Sequence, residues 1–281
     1  MIIATMRRST TKGNAGAPRR VFVLAVQAAA ALALTLVGAR ASAAPEWIYR
    51  GITLPRGVVA LDLGLGYGHE PADATRSIGG FGMNLEIAGG VTHDLELGLR
   101  TGVGLDDDGQ ATRADVYGRT FDTETYDVGG DRMANPELRM RWAVARGANV
   151  QLGLEARAYL PFAANTHFGV MFGVPLALRV GTVRIDTGLY VPIIFDEPTT
   201  TIVSIPVHVW IQVSPTLWLG PVLGVRFDSS GGQDAYPFGF GLGSALSRQI
   251  DFRAWFLFPD LNRDAAARTF GAGVGLQIRF E

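Results

Sequence analysis

Val150-Gln151-Leu152-Gly153-Leu154-Glu155-Ala156-Arg157 sets an apolar side chain at every second position, with a polar residue or glycine between. Side chains of an extended strand point alternately to opposite faces, so this octapeptide reads as a strand with one greasy face and one polar face. Wound as a helix, it would scatter Glu155 and Arg157 around the circumference among the aliphatic residues. The same period recurs upstream in Leu95-Glu96-Leu97-Gly98-Leu99-Arg100 and Leu138-Arg139-Met140-Arg141-Trp142. It recurs downstream in Phe252-Arg253-Ala254-Trp255-Phe256 and Leu276-Gln277-Ile278-Arg279-Phe280. Twelve such segments are predicted, at 57–67, 80–91, 94–104, 134–145, 148–160, 168–180, 182–194, 201–213, 216–227, 237–247, 249–258 and 268–280. Each is about as long as a tilted strand needs to cross a bilayer, ~9–11 residues.

The connections alternate in length. Short ones fall near Thr92-His93, Arg146-Gly147-Ala148, Gly181, Ser214-Pro215 and Arg248, and longer ones at 68–79, 105–133, 161–167, 195–200, 228–236 and 259–267. Tight turns on one side and long loops on the other are the asymmetry of a transmembrane β-barrel. Aromatic residues gather near segment ends (Tyr67, Phe81, Trp142, Phe168, Phe195, Phe227, Phe258, Phe270 and Phe280), where interfacial girdles belong. The expected fold is therefore all-β, an antiparallel transmembrane barrel of about twelve strands whose greasy face meets lipid. Pro175, Pro192, Pro206 and Pro221 oppose that reading, because each removes a ladder donor inside a predicted strand. Lumen-facing bulges, a register break or a ten-strand count are the ways out.

The chain ahead of the strands has a different composition. Arg7, Arg8, Lys12, Arg19 and Arg20 precede an apolar run from Val21 to Val37, and Ala41-Ser42-Ala43 follows. That is the order of a cleaved secretory signal peptide. The expected organisation is a leader at 1–43, a periplasmic lead-in at 44–56 and a barrel at 57–281. Removing the leader leaves 19 basic and 26 acidic residues, a net charge of −7. With no basic excess, nothing favours nucleic acid as a partner. Without cysteine, thiolate metal sites, disulfides and cysteine nucleophiles are excluded.

The last strand carries a resemblance. Gly275-Leu276-Gln277-Ile278-Arg279-Phe280 is similar to the C-terminal assembly signal of bacterial outer-membrane β-barrel proteins, with alternate apolar positions closing on an aromatic. Glu281 follows Phe280 here, whereas that family usually ends on the aromatic itself. The resemblance implies Gly275, Ile278 and Phe280 as signal positions, the barrel-assembly machinery as a partner, and outer-membrane lipid and lipopolysaccharide as surroundings.

Turning the polar face inward predicts a lumen with two walls. One is charged: Glu86, Glu96, Arg100, Glu137, Arg139, Arg141, Glu155, Arg157, Arg184 and Asp186. The other is small, with Gly64, Gly66, Gly169, Gly173, Gly239, Gly241, Gly243, Gly271, Gly273 and Gly275, and leaves room for a passage or an inward-folded loop. Cross-strand pairing of the charges would stiffen and plug the barrel, whereas a polar pathway would orient a solute. No catalytic or metal site is expected. Ser204 and His208 share a face but stand four residues apart, ~13 Å along a strand. Asp106-Asp107-Asp108-Gly109 lacks the alternating ligands of a calcium loop. The stretch 105–131, with eight acids and two bases, is expected to be a solvated acidic loop, or a place where divalent cations bridge to lipopolysaccharide. No cofactor is implied. The function expected first is a channel or passive transporter for small polar solutes, biased toward anions by Arg100, Arg139, Arg141 and Arg157. A closed structural or surface-interaction barrel is the alternative, and a lipid hydrolase is disfavoured by the residue inventory.

Overall fold

The period-two segments become twelve antiparallel strands. They are β1 (Val59–Pro71), β2 (Ser77–Gly90), β3 (Leu95–Gly104), β4 (Glu137–Arg146), β5 (Val150–Tyr159) and β6 (Gly169–Val180), then β7 (Val183–Ile194), β8 (Thr200–Ser214), β9 (Leu217–Asp228), β10 (Phe238–Ala245), β11 (Ile250–Phe258) and β12 (Phe270–Phe280). The structure is a computed structural model that describes residues 47–71, 77–105, 136–162, 167–195, 197, 199–228, 234–261 and 269–281. The predicted leader and nearly all of the acidic stretch 105–131 lie outside the described residues. Each strand pairs with its sequence neighbours, and β1 pairs with β12 from Val59↔Phe280 to His69↔Phe270, which closes the barrel. Phe280 thus sits on the closing seam with its ring outward, as does Ile278, while Gly275 faces inward opposite Gly64. Among the described residues no helix is long and apolar enough to cross a membrane.

The two faces settle which way the greasy side points. Along β5, Gln151, Gly153, Glu155, Arg157 and Tyr159 are buried while Val150 and Leu154 are exposed. Leu65, Met83, Ile87, Leu97, Leu99, Leu138, Met140 and Trp142 are all more than 40 % exposed, whereas Glu86, Glu96, Arg100, Glu137, Glu155 and Arg157 are at most 6 % exposed. A water-soluble sheet protein has the opposite arrangement. Covering each large aliphatic side chain with an apolar medium is worth ~1.5–3 kcal/mol, and only acyl chains can cover a whole outer wall. Rings pair along the long-loop rim, Tyr67 with Phe81 at 5.0 Å and Phe168 with Phe195 at 5.9 Å.

The four prolines do not change the strand count. Each coincides with a gap in the ladder on one side of its strand and keeps its partner on the other. Pro175 pairs with Gly188 of β7, while the β5–β6 ladder is interrupted, in unchanged register, between Leu152↔Leu176 and Glu155↔Gly173. Pro192 and Pro206 fall in two gaps of β7–β8, and Pro221 falls in a gap of β8–β9 between His208↔Val222 and Ile211↔Leu219. The Thr187 hydroxyl donates to the Pro206 carbonyl at 2.7 Å, so a side chain takes up an acceptor that the interrupted β7–β8 ladder leaves over. β1 and β2 also run on into the stretch 68–79, pairing as far as Pro71↔Ser77. Gly68, His69 and Glu70 lack the apolar alternation that would have extended the predicted strands.

Candidate functional site: the bore and the segment inside it

The short turns and the start of β1 share one end of the barrel. There the chain does something that period two does not announce. Residues 47–56, read from sequence as a periplasmic lead-in, fold into the mouth of the bore. A single 3-10 turn, Trp47–Tyr49, leads into an irregular stretch, bent at 52–53, that pairs with the sheet only at Arg56↔Gly90. Gly57, at φ 81°, then swings the chain into β1, a conformation that favours glycine.

Backbone groups of an irregular segment in a bore need partners, and wall side chains supply them. The Ile48 N–H donates to Gln212 Oε1 at 3.4 Å, the Ile52 N–H to Gln151 Oε1 at 2.9 Å, and the Leu54 N–H to Glu96 Oε2 at 2.8 Å. Arg184 donates to the Arg50 carbonyl at 2.7 Å and Arg141 to the Ile52 carbonyl at 3.1 Å. Arg146 donates to the Thr53 hydroxyl. Arg50 itself makes a two-pronged pair with Asp251, whose side chain is fully buried and also receives Arg279 at 2.9 Å. Burial draws the Arg50 guanidinium below its ordinary pKa, and the hydrogen bond and charge of Asp251 oppose that shift. Trp47 stacks on Trp218 at 5.2 Å, meets Trp210 edge-on at 5.3 Å, and carries the Arg184 guanidinium 4.8 Å from its ring centre. Ile52 packs with Ala143 and Ala177.

The predicted charged residues enter the bore from β2 to β5 and from β7. Arg139 reaches Glu86 at 2.8 Å and Glu96 at 2.6 Å. Glu155 is gripped by Arg141 and Arg157, each with an Nε at 2.6 Å, and Arg157 also approaches Glu137 at 3.4 Å. Arg100 stands 4.0 Å from Glu137, and Arg184 pairs with Asp186 at 2.7 Å. The β2–β5 wall is thus a lattice of alternating sign, four arginines against four glutamates. An anion bias from Arg100, Arg139, Arg141 and Arg157 loses its footing, because each stands within ion-pair reach of a glutamate on the same wall.

The glycine wall requires a correction. At Gly173, Gly241 and Gly243 the missing side chains are sockets for large rings rather than open passage. A Cβ at Gly243 would overlap the Trp218 indole, and one at Gly241 would overlap both Trp255 and Trp210. Four of the five tryptophans, Trp47, Trp210, Trp218 and Trp255, line the bore beside His208. Between this aromatic wall and the charged wall a cavity of about 760 Å³ remains. Sequence reasoning missed Trp47, Arg50, Ile52 and the tryptophan shelf. The one signal present was Trp47-Ile48-Tyr49, an aromatic-rich tripeptide in a stretch with no strand to place it.

Ser204 and His208 both face inward on β8 and pair with different neighbours, Ser204 with Arg226 and His208 with Val222 across β9. Among the described residues no group of His, Cys, Asp and Glu side chains is arranged to hold a metal ion. Asp106-Asp107-Asp108 lies outside them.

A closed antiparallel barrel with an apolar exterior and a polar, partly open interior defines a porin-like transmembrane β-barrel. Solved structures share that fold. An outer membrane channel from Pseudomonas putida F1 is similar with a TM-score of 0.59 at 11% identity, over 83% of this chain and 98% of that one. The NanC porin gives 0.55 at 8% identity over 78% and 98%, and the KdgM porin 0.52 at 6% over 79% and 99%. At such identities the likeness is one of fold. No protein-family model matches the sequence, and no curated protein does.

Proposed function

We propose that this protein is a passive channel of the outer membrane for small polar solutes, closed at its periplasmic mouth by residues 47–56 of its own chain. The predicted leader would direct its export. One observation carries the reading. The segment in the mouth is held by side chains and pairs with the sheet only at Arg56, and an open cavity continues beyond it. Withdrawing residues 47–54 costs no strand pairing, so the bore can open while the barrel stays intact. The specific observation favouring a closed structural barrel is the mutual pairing of the β2–β5 charges, which stiffens the wall. Planar-bilayer recordings separate the two. Protein lacking residues 47–54 is expected to conduct in larger or longer steps than the full chain. Absence of conductance from both proteins, with a heat-modifiable barrel on gels, assigns the closed structural role instead.

A further inference from the structure

The two walls of the bore meet along β11. Arg253 and Trp255 are two residues apart on that strand, so both side chains enter on the same face. Trp255 meets Trp210 edge-on at 5.0 Å and tilts against His208 at 6.2 Å. β8 and β11 are separated by β9 and β10, and the rings of Trp210 and Trp255 reach one another because the inward position Gly241 of β10 carries no side chain. Trp255 is only partly buried, and Arg253, Trp255, His208 and Trp210 all line the cavity. Arg253 holds Asp62 through Nη2 at 3.3 Å, its side chain is 21 % exposed at the cavity wall, and its Nε is buried without a hydrogen-bond partner. A guanidinium edge matches a carboxylate, and an aromatic shelf favours a ring set offset or edge-on. The opposite wall does not compete, since Arg141 and Arg157 already hold Glu155.

We infer that this corner binds a small aromatic carboxylate, the carboxylate on the Arg253 edge and the ring against Trp255 and His208. The inference deepens the channel reading and rests on it for the solute's passage. An aliphatic acid satisfies Arg253 but forgoes the ring contacts, and a neutral aromatic alcohol leaves the guanidinium edge unanswered.

The test titrates the tryptophan fluorescence of the full chain in detergent micelles with benzoate, cyclohexanecarboxylate and benzyl alcohol. Saturable quenching by benzoate is expected, weakened about tenfold or more in Arg253→Gln, which removes a charge-assisted bond. Trp255→Leu is expected to weaken it about three- to tenfold. Arg253→Lys keeps a charge for Asp62 and loses the planar guanidinium, so it too weakens binding and guards against a folding failure of the glutamine variant. The two comparison ligands are expected to bind more weakly than benzoate. No saturable change with benzoate, equal binding of cyclohexanecarboxylate, or indifference to all three variants while they remain heat-modifiable overturns the site. If the protein conducts in bilayers and benzoate alters neither fluorescence nor current, the site is wrong and the channel stands. If benzoate binds as described and no conductance is found, the site stands and the channel reading falls.

Discussion

Trp47→Ala is the sharpest probe of the closed mouth. The indole makes two ring contacts, stacked on Trp218 at 5.2 Å and edge-on to Trp210 at 5.3 Å, and the Arg184 guanidinium lies 4.8 Å from its centre. Aromatic pairs are worth ~0.5–1.5 kcal/mol each beyond area, and a partly desolvated cation over a ring ~1–2 kcal/mol. Together these contacts hold the segment by about 3 kcal/mol. A withdrawn segment makes none of them, so the substitution destabilises only the closed state. At about 1.4 kcal/mol per factor of ten, the closed-to-open ratio falls by roughly 100-fold. Arg50–Asp251 and the backbone bonds to Gln151, Gln212 and Glu96 remain, so closure persists at reduced occupancy. Single-channel recording reads this as closed dwell times shortened by about two orders of magnitude at unchanged unitary conductance. The converse variant joins Ile52→Cys to Ala177→Cys, residues of one buried apolar cluster in the mouth. The chain has no other cysteine, so oxidation is expected to hold the channel shut and reduction to release it. Unchanged dwell times in Trp47→Ala, with opening indifferent to the disulfide, would refute the reasoning.

Three further outcomes follow from the walls. Glu155→Gln strips the shared carboxylate from Arg141 and Arg157 and leaves buried Arg157 with Glu137 at 3.4 Å. A loss of ~3–5 kcal/mol is expected, read as a lower temperature for the gel-mobility transition. Gly243→Val drives a side chain into the Trp218 indole. Over-packing of ~1–3 kcal/mol or more should expel the indole and shift tryptophan emission to longer wavelength, whereas Gly181→Ala, in a turn with open space around it, should leave emission unchanged. Thr187→Val keeps the side-chain shape but removes the donor to the Pro206 carbonyl. A cost of ~1–3 kcal/mol is expected, with faster amide exchange confined to β7 and β8. An exchange pattern unchanged there would show that the hydroxyl does not bridge the gap.

The charged wall shows how far a linear reading carries. Glu96, Arg141, Glu155 and Arg157 were placed on one face by alternation alone, and they occupy that face. Their mutual engagement was one of two readings and needed the register, since Glu96↔Arg141 and Arg141↔Glu155 are opposed only when β3, β4 and β5 align as they do. The glycines misled for a related reason. Gly241 and Gly243 report the size of their own side chains, while the space above them belongs to Trp210, Trp218 and Trp255, the first of these two strands away. The prolines conflict with a linear reading of their strands, and their resolution by one-sided gaps is visible only in the paired ladders.

By itself the sequence determined the strands, the turn and loop sides, and which face is greasy. Each of these is a local property, because the pleat writes its period of two into neighbouring residues. The choice between ten and twelve strands waited for the closed ladder. Only the tertiary structure decided what occupies the bore. Arg50 meets Asp251 across 201 positions and Leu54 meets Glu96 across 42. A segment without periodicity gives no local sign of partners that closure of the barrel brings to it.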